Sequence, residues 1–202
     1  MTQADGLSIQ EAEALYRRAE SGDPDAFWSL VTPHEGKVHA VAYGMTRDVE
    51  RARDITHDTF LRAFSTLGNL RSPAKVGSWL CSMARNIARE QGRREMRHDK
   101  AVAQQPEAPV IPITDVMIEA QELEHLSLVL ESLPEPHRVV LSMKYMDDMS
   151  CREIADALEI GVEAAKSRLF EARRLVKLRM EELHSKDPDR ALRAKPRRRQ
   201  ST

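Results

Sequence analysis

Ser150-Cys151-Arg152-Glu153-Ile154-Ala155-Asp156-Ala157-Leu158-Glu159-Ile160-Gly161 is the stretch whose reading decides the fold. Ser150 and Glu153 stand at the spacing of a capping box, in which a serine hydroxyl and a glutamate carboxylate satisfy each other's orphan backbone donors at a helix start. Ile154, Ala155 and Leu158 then supply one narrow apolar face. Glu159-Ile160-Gly161 reads as a tight turn, with the glycine taking the backbone angles that a reversal needs. A second helix is predicted from about Val162, so the span from Leu133 to Arg179 reads as helix, turn and helix.

On the second helix Ala165, Leu169, Ala172 and Val176 recur at spacings of three and four and mark the buried stripe. At about 100° per residue the opposite side carries Glu163, Ser167, Phe170, Glu171 and Arg174, with Lys166, Arg168, Arg173 and Lys177 on its flanks. Short polar and acidic groups at the centre can reach base edges, and long basic groups can clamp phosphates. The plainer alternative is an amphipathic helix whose charged face is merely solvated. The helix-turn-helix spacing and the preceding Leu133-Pro134 start weigh against it.

Working outward, 202 residues suffice for one large domain or two small ones. Charged residues make up 31% and aromatics 4%, which with abundant Leu, Ala and Arg points to an all-α fold. The net charge of −1 conceals contrast. Basic residues gather at Arg85, Arg89, Arg93, Arg94 and Arg97, along Lys166 to Arg179, and at Arg190 to Arg199, whereas acids gather between Glu119 and Glu135. Patches therefore bear on partners more than the total does. No segment reaches the roughly 20 apolar residues of a bilayer span, and the start lacks a basic region followed by an apolar core, so the expectation is a cytoplasmic chain without membrane insertion. Cys81 and Cys151 have no second cysteine at metal-ligand spacing and read as reduced, half-buried small residues; neither metal nor cofactor is expected.

Helices are predicted from near the start. Ser8-Ile9-Gln10-Glu11 is another capping box, and Asp23-Pro24 places a cap before a proline at the first helical position, opening a helix through Phe27, Leu30 and Val31 on toward Tyr43. The next runs from near Asp48 to about Phe64 with Ala52, Ile55, Thr59 and Ala63 on one face. Gly68 to Pro73 reads as loop, and a further helix holds Trp79, Leu80, Met83, Ala84 and Ile87. Periodicity then fails. The expected organisation is a helical extension at 1–22, a helical domain at 23–97, a flexible linker at 98–118, a helix-turn-helix domain at 119–183 and a basic disordered tail at 184–202.

Two surface features of the first half exceed what a core requires. Asp54 and Asp58 are a like-charge pair at i and i+4, which costs a few tenths of a kcal/mol and suggests a basic partner, either external or supplied by Arg51 and Arg62 along the same helix. Phe60, Leu61 and Phe64 add apolar area beside them. Arg85, Arg89, Arg93 and Arg97 form a stripe that cannot neutralise itself, for which phosphates are the expected counter-charge and a solvated surface the plainer reading. The Leu70 to Ser78 loop and Trp79 offer polar and aromatic groups of the kind that hold an unstacked base.

Asp54 to Phe64, followed by Ser78 to Ala88, resembles region 2 of the sigma-70 family in its compact extracytoplasmic-function form. Leu133 to Arg174, with Lys166-Ser167-Arg168-Leu169 and Ala172-Arg173, is similar to region 4 of the same group. The likeness extends from about Asp25 to Met180, with the two motifs in order and a linker in place of the intervening domain of larger sigma factors. It implies an initiation factor that joins core RNA polymerase and directs it to promoter DNA. Asp54, Ile55, Asp58, Phe60 and Leu61 would dock on the coiled coil of the largest polymerase subunit, and the second domain would meet the flap of the second largest. Arg71, Ser72, Lys75, Ser78, Trp79, Arg85, Asn86, Arg89 and Arg93 would serve the minus-ten element, through a captured non-template base and the backbone of the opening duplex. Glu163, Lys166, Ser167, Arg168, Phe170, Glu171, Arg173 and Arg174 would serve the minus-thirty-five element in the major groove.

An anti-sigma factor is a further partner of this resemblance, since two small domains on a flexible linker would expose both binding surfaces. Ala164-Ala165 stands where the family usually has a Thr-Val pair, His57 replaces a common glutamine, and Glu171 lies where some relatives are basic, departures that bear on promoter sequence. The chain carries no phosphate-binding glycine loop, no His-Glu-x-x-His and no Gly-x-Ser-x-Gly turn, so catalysis is not expected. The rival readings are a helix-turn-helix regulator that binds duplex DNA without polymerase, and a sigma-like decoy that titrates an anti-sigma factor.

Overall fold

The computed structural model describes residues 8–98 and 120–185. All of the expected tail except His184 and Ser185, which continue the last helix, and all of the expected linker except His98, lie outside the described residues. Nine α-helices are seen among the described residues, with short 3-10 turns between some of them and no strand.

α1 (Ile9–Glu20) opens on the Ser8 capping box, with both reciprocal bonds formed. α2 (Pro24–Val31) starts at Asp23, whose carboxylate accepts from the backbone N–H groups of Asp25 and Ala26. This helix does not continue to Tyr43 as the apolar pattern suggested. A 3-10 turn at Thr32–His34 intervenes before α3 (Glu35–Thr46), because Pro33 has no N–H for the helical ladder. α4 (Val49–Thr66) is capped by Asp48, and Ala52, Ile55, Thr59 and Ala63 are buried along one side as expected. The predicted loop at 68–73 is partly ordered into 3-10 turns at Leu67–Asn69 and Pro73–Lys75, pinned by the buried Leu70 and Val76. α5 (Val76–His98) completes the first half.

The second half comprises α6 (Ala120–Glu131), α7 (Glu135–Met146), α8 (Cys151–Leu158) and α9 (Val162–Ser185), with α6, α7 and α8 all packed on α9. The two halves are not held apart. α7 lies along α3, and α8 rests on α5. Phe27, Leu30, Val31, Val38, Ile55 and Leu80 of the first half and Met143, Met149 and Ile154 of the second are fully buried in one continuous apolar cluster. The two halves thus share one core, while Asp54 and Asp58 of α4 and the outer side of α9 stay exposed. Burying this seam removes apolar surface from water at about 25 cal/mol per Å², and that gain favours the closed arrangement.

Candidate nucleic-acid interface

The helix-turn-helix forms from local chemistry. Ser150 Oγ accepts from the Glu153 N–H at 3.2 Å while the Ser150 N–H donates to Glu153 Oε2 at 2.8 Å, and α8 buries Ile154, Ala155, Ala157 and Leu158. The reversal is made differently from the expectation. Glu159, not Gly161, takes the left-handed conformation, at φ 56°, and the Ile160 N–H closes back on the Ala155 carbonyl at 3.0 Å. A non-glycine residue at positive φ is uncommon, and here the apolar anchor Leu158 and the closing hydrogen bond hold it.

α9 buries Ala165, Leu169 and Ala172, and half-buries Val176. Its outer side presents Glu163, Lys166, Ser167, Phe170, Arg173 and Arg174 to solvent, while Arg168 and Glu171 are half-buried. The charges on this face answer one another: Lys166 pairs with Glu163 at 2.7 Å, and Arg174 donates to Glu171 through Nε at 2.9 Å. The Arg174 guanidinium holds the Glu171 carboxyl below its ordinary range, and hydrogen bonding to Glu163 pushes the Lys166 ammonium up. Arg173 donates to Tyr145 Oη at 3.0 Å and lies 5.7 Å from the centre of that ring. Phe170 is 70% exposed, a large apolar group standing among charges, and major-groove thymine methyls are the base-edge feature that such a group can read.

The second cluster surrounds α5. Arg71, Lys75, Asn86, Arg89 and Arg93 are exposed, and Ser72, Ser78 and Trp79 are half-buried. Ser78 Oγ donates to the Lys75 carbonyl at 3.0 Å, and Trp79 packs against the core. Arg85 is not part of an open stripe. It donates to the Leu158 carbonyl at 3.0 Å and lies 3.6 Å from Glu159, and burial pushes its guanidinium down. Arg89 lies 3.7 Å from Glu135. The counter-charge expected from phosphates is thus supplied, for these two arginines, by the second half of the chain.

On α4, Asp54, Asp58 and Leu61 are exposed, whereas Ile55 and Phe60 are buried. The last two fall on the same side as Ala52, Thr59 and Ala63, so they position the helix rather than line its outer face. Arg62 pairs with Glu90 at 3.7 Å instead of Asp58, which accepts from Gln91 Nε2 at 3.4 Å. Beside the acids, Phe64 and Trp28 are exposed at 51% and 44%, held edge-on against Phe27 at 5.0 and 5.3 Å. Two elements in one chain thus carry a helix-turn-helix and a separate acidic and aromatic face.

The Sigma-70 region 2 family model matches residues 30–98, and the Sigma-70, region 4 model matches residues 123–176. The chain belongs to the sigma-70 family, in its extracytoplasmic-function group. It is 30% identical over 167 residues to the probable RNA polymerase sigma factor RfaY of Xanthomonas campestris, an alignment covering 79% of this chain and 41% of that protein. The chain therefore spans less than half of that relative's length. It is 25% identical to the ECF RNA polymerase sigma factor SigW of Bacillus subtilis, covering 83% of this chain and 95% of that one. Among solved structures, the sigma factor RpoE of Bartonella quintana, in complex with the anti-sigma factor NepR, has a TM-score of 0.60 at 19% identity over 77% of this chain and 96% of that chain, a likeness of fold.

In this sigma factor the residues that sequence reasoning missed lie between regions 2 and 4. Arg138, 9% exposed, donates to the Gly44 carbonyl at 2.7 Å, the Leu133 carbonyl at 2.8 Å and the Met45 carbonyl at 3.4 Å. Lys37 reaches Glu153 at 2.8 Å, so the α8 capping glutamate also serves the seam. The available signal was the spacing of Gly36, Ala40 and Gly44, one face of small residues on α3. Cys81 is buried and Cys151 half-buried, and the two are not joined in a disulfide. Among the described residues no cluster of three His, Cys, Asp or Glu side chains could hold a metal ion, and no helix is long and apolar enough to cross a membrane.

Proposed function

We propose that this sigma factor joins core RNA polymerase in the cytoplasm and directs initiation by reading two promoter elements, region 2 at minus ten and α9 at minus thirty-five. The observation that carries the reading is the pairing, in one chain, of a helix-turn-helix with a charged outer face and a separate face of acids and exposed aromatics. A DNA-binding module alone has no use for the second. Asp54, Asp58 and Leu61 would meet the coiled coil of the largest subunit, with Ile55 and Phe60 holding α4 rigid from behind. Region 4 would meet the flap of the second largest. Lys166, Arg168, Arg173 and Arg174 would position α9 on phosphates, while Glu163, Ser167, Phe170 and Glu171 would discriminate base edges. Arg71, Ser72, Lys75, Ser78, Trp79 and Asn86 would engage a displaced base, with Arg85, Arg89 and Arg93 on the backbone. Melting would be driven by binding free energy, without nucleotide hydrolysis by this chain. An anti-sigma factor is included as a further partner, as the RpoE relative has one, and co-purification from the native host tests it.

Transcription from a genomic promoter library, by core polymerase with and without the protein, tests the main reading. New start sites that share two sequence elements are expected. Footprints by the protein alone, with no new initiation, would instead establish a helix-turn-helix regulator.

A further inference from the structure

The basic residues on the outer side of α9 differ in what holds them. Lys166 is met by the Glu163 carboxylate at 2.7 Å and Arg174 by the Glu171 carboxylate at 2.9 Å, both from the same helix. Arg173 is met by a neutral group from another helix: its Nε donates to Tyr145 Oη at 3.0 Å, and its guanidinium carbon lies 5.7 Å from the centre of the ring. A carboxylate partner cancels the charge that a phosphate would answer, and it has to be displaced before the cation is used. A phenol hydroxyl accepts the bond without cancelling the charge, so Arg173 is held but not neutralised.

Tyr145 stands where packing does not call for an aromatic ring. It belongs to the last turn of α7, 28 residues before Arg173. It is 65% exposed and lies outside the buried cluster that Val139, Val140, Leu141 and Met143 of the same helix join. Because α7 packs along α9, the backbone of one helix fixes the phenol beside the other. The bond engages Nε and leaves both terminal nitrogens of the guanidinium to donate, a fork that matches two oxygens of one phosphate. An arginine free to rotate loses rotamer freedom when a phosphate immobilises it, a cost equivalent to roughly a two- to tenfold change in affinity. Holding the side chain in advance removes part of that cost.

We propose that Tyr145, outside the helix-turn-helix, is a positioning residue for DNA binding: it holds the charged Arg173 guanidinium with its terminal nitrogens presented to a backbone phosphate beside the bases that α9 reads. The inference rests on the reading of α9 as the helix that enters the major groove, and it adds a residue of α7 that sets the strength of one phosphate contact.

The test uses fluorescence anisotropy to follow binding of the full chain to a labelled DNA duplex of mixed sequence over a series of salt concentrations. Wild type is compared with Tyr145→Phe, Arg173→Ala, the two combined, and Lys166→Ala, with far-ultraviolet dichroism as the check on helix content. Tyr145→Phe keeps the ring and removes the hydroxyl that anchors Nε. Its affinity should fall roughly two- to tenfold, with the slope of log affinity against log salt unchanged because the cation is still present. Arg173→Ala should make that slope shallower by about 0.9, the share of one phosphate contact, and adding Tyr145→Phe to it should cause no further loss. Equal affinity of Tyr145→Phe and wild type overturns the proposal. So does a loss of helix content in Tyr145→Phe, or a loss of affinity of the same size with and without Arg173, since a purely structural tyrosine would give either. Failure of the underlying reading looks different: neither Arg173→Ala nor Lys166→Ala would then weaken binding, and the proposal would fall with it.

Discussion

Asp54 and Asp58 stand one turn apart on α4, both exposed, and the structure leaves Arg62 paired elsewhere, with Glu90. The internal neutralisation of Asp58 by Arg62 that sequence alone allowed is thus not made. Double charge reversal, Asp54→Arg with Asp58→Arg, should weaken binding to core polymerase by about thirtyfold or more with helix content unchanged, as measured by surface plasmon resonance and dichroism. Equal affinity would remove α4 from the docking surface. Arg138 has the opposite character, a buried cation tying three backbone carbonyls. Arg138→Met would leave those carbonyls unpaired in the interior and should cost roughly 2–4 kcal/mol, read from the urea midpoint. The acidic pair was legible in the sequence because i and i+4 spacing is local. The role of Arg138 was not, since two of its three acceptors, Gly44 and Met45, lie in another helix far earlier in the chain.

Caps and stripes carried most of what the sequence revealed about elements. The boxes at Ser8 and Ser150, the Asp48 start of α4 and the buried stripe of α9 depend on contacts within a few residues, and each is formed. Two element-level expectations failed where a neighbour intervened: Pro33 divides what read as one helix, and the α8 reversal falls on Glu159 rather than Gly161. Ser150→Ala should cost about 1 kcal/mol, and hydrogen exchange should show the loss concentrated in α8 and the start of α9. On α9 the structure refines the expected division of labour, because Glu171 engages Arg174 and Glu163 engages Lys166 before any DNA arrives. Ser167→Ala and Phe170→Ala should change sequence preference in a binding-site selection, whereas Lys166→Ala and Arg173→Ala should weaken all sequences evenly. A uniform loss from all four would mean that α9 does not face the bases.

The arrangement of regions 2 and 4 was the least legible feature, because it depends on surfaces that meet only after each half has folded. The arginine stripe illustrates this: its register was visible, but the groups that answer Arg85 and Arg89 come from α8, its turn and the start of α7. The seam also links closure to acidity. Burial pushes the Glu153 carboxyl up, but hydrogen bonds from Lys37 and from Ser150 outweigh it and hold the group below its ordinary value. A depressed carboxyl contributes stability in full above its unfolded pKa and loses it as pH falls through the lower folded value. Glu135 stands opposite Arg89 and Glu159 opposite Arg85 across the same seam. Acidification through the lower carboxylate range should therefore open the chain, seen as a rise in radius of gyration that is smaller in Lys37→Met. The same three cross-seam pairs carry a further consequence, for ionic strength. Added electrolyte screens them and loosens the seam, while it also weakens any complex with DNA by reducing the gain from counterion release. The two responses oppose each other, so the DNA affinity of the wild-type chain should fall less steeply with electrolyte than that of a Gly44→Leu variant, whose added side chain would meet the Val139 backbone of α7.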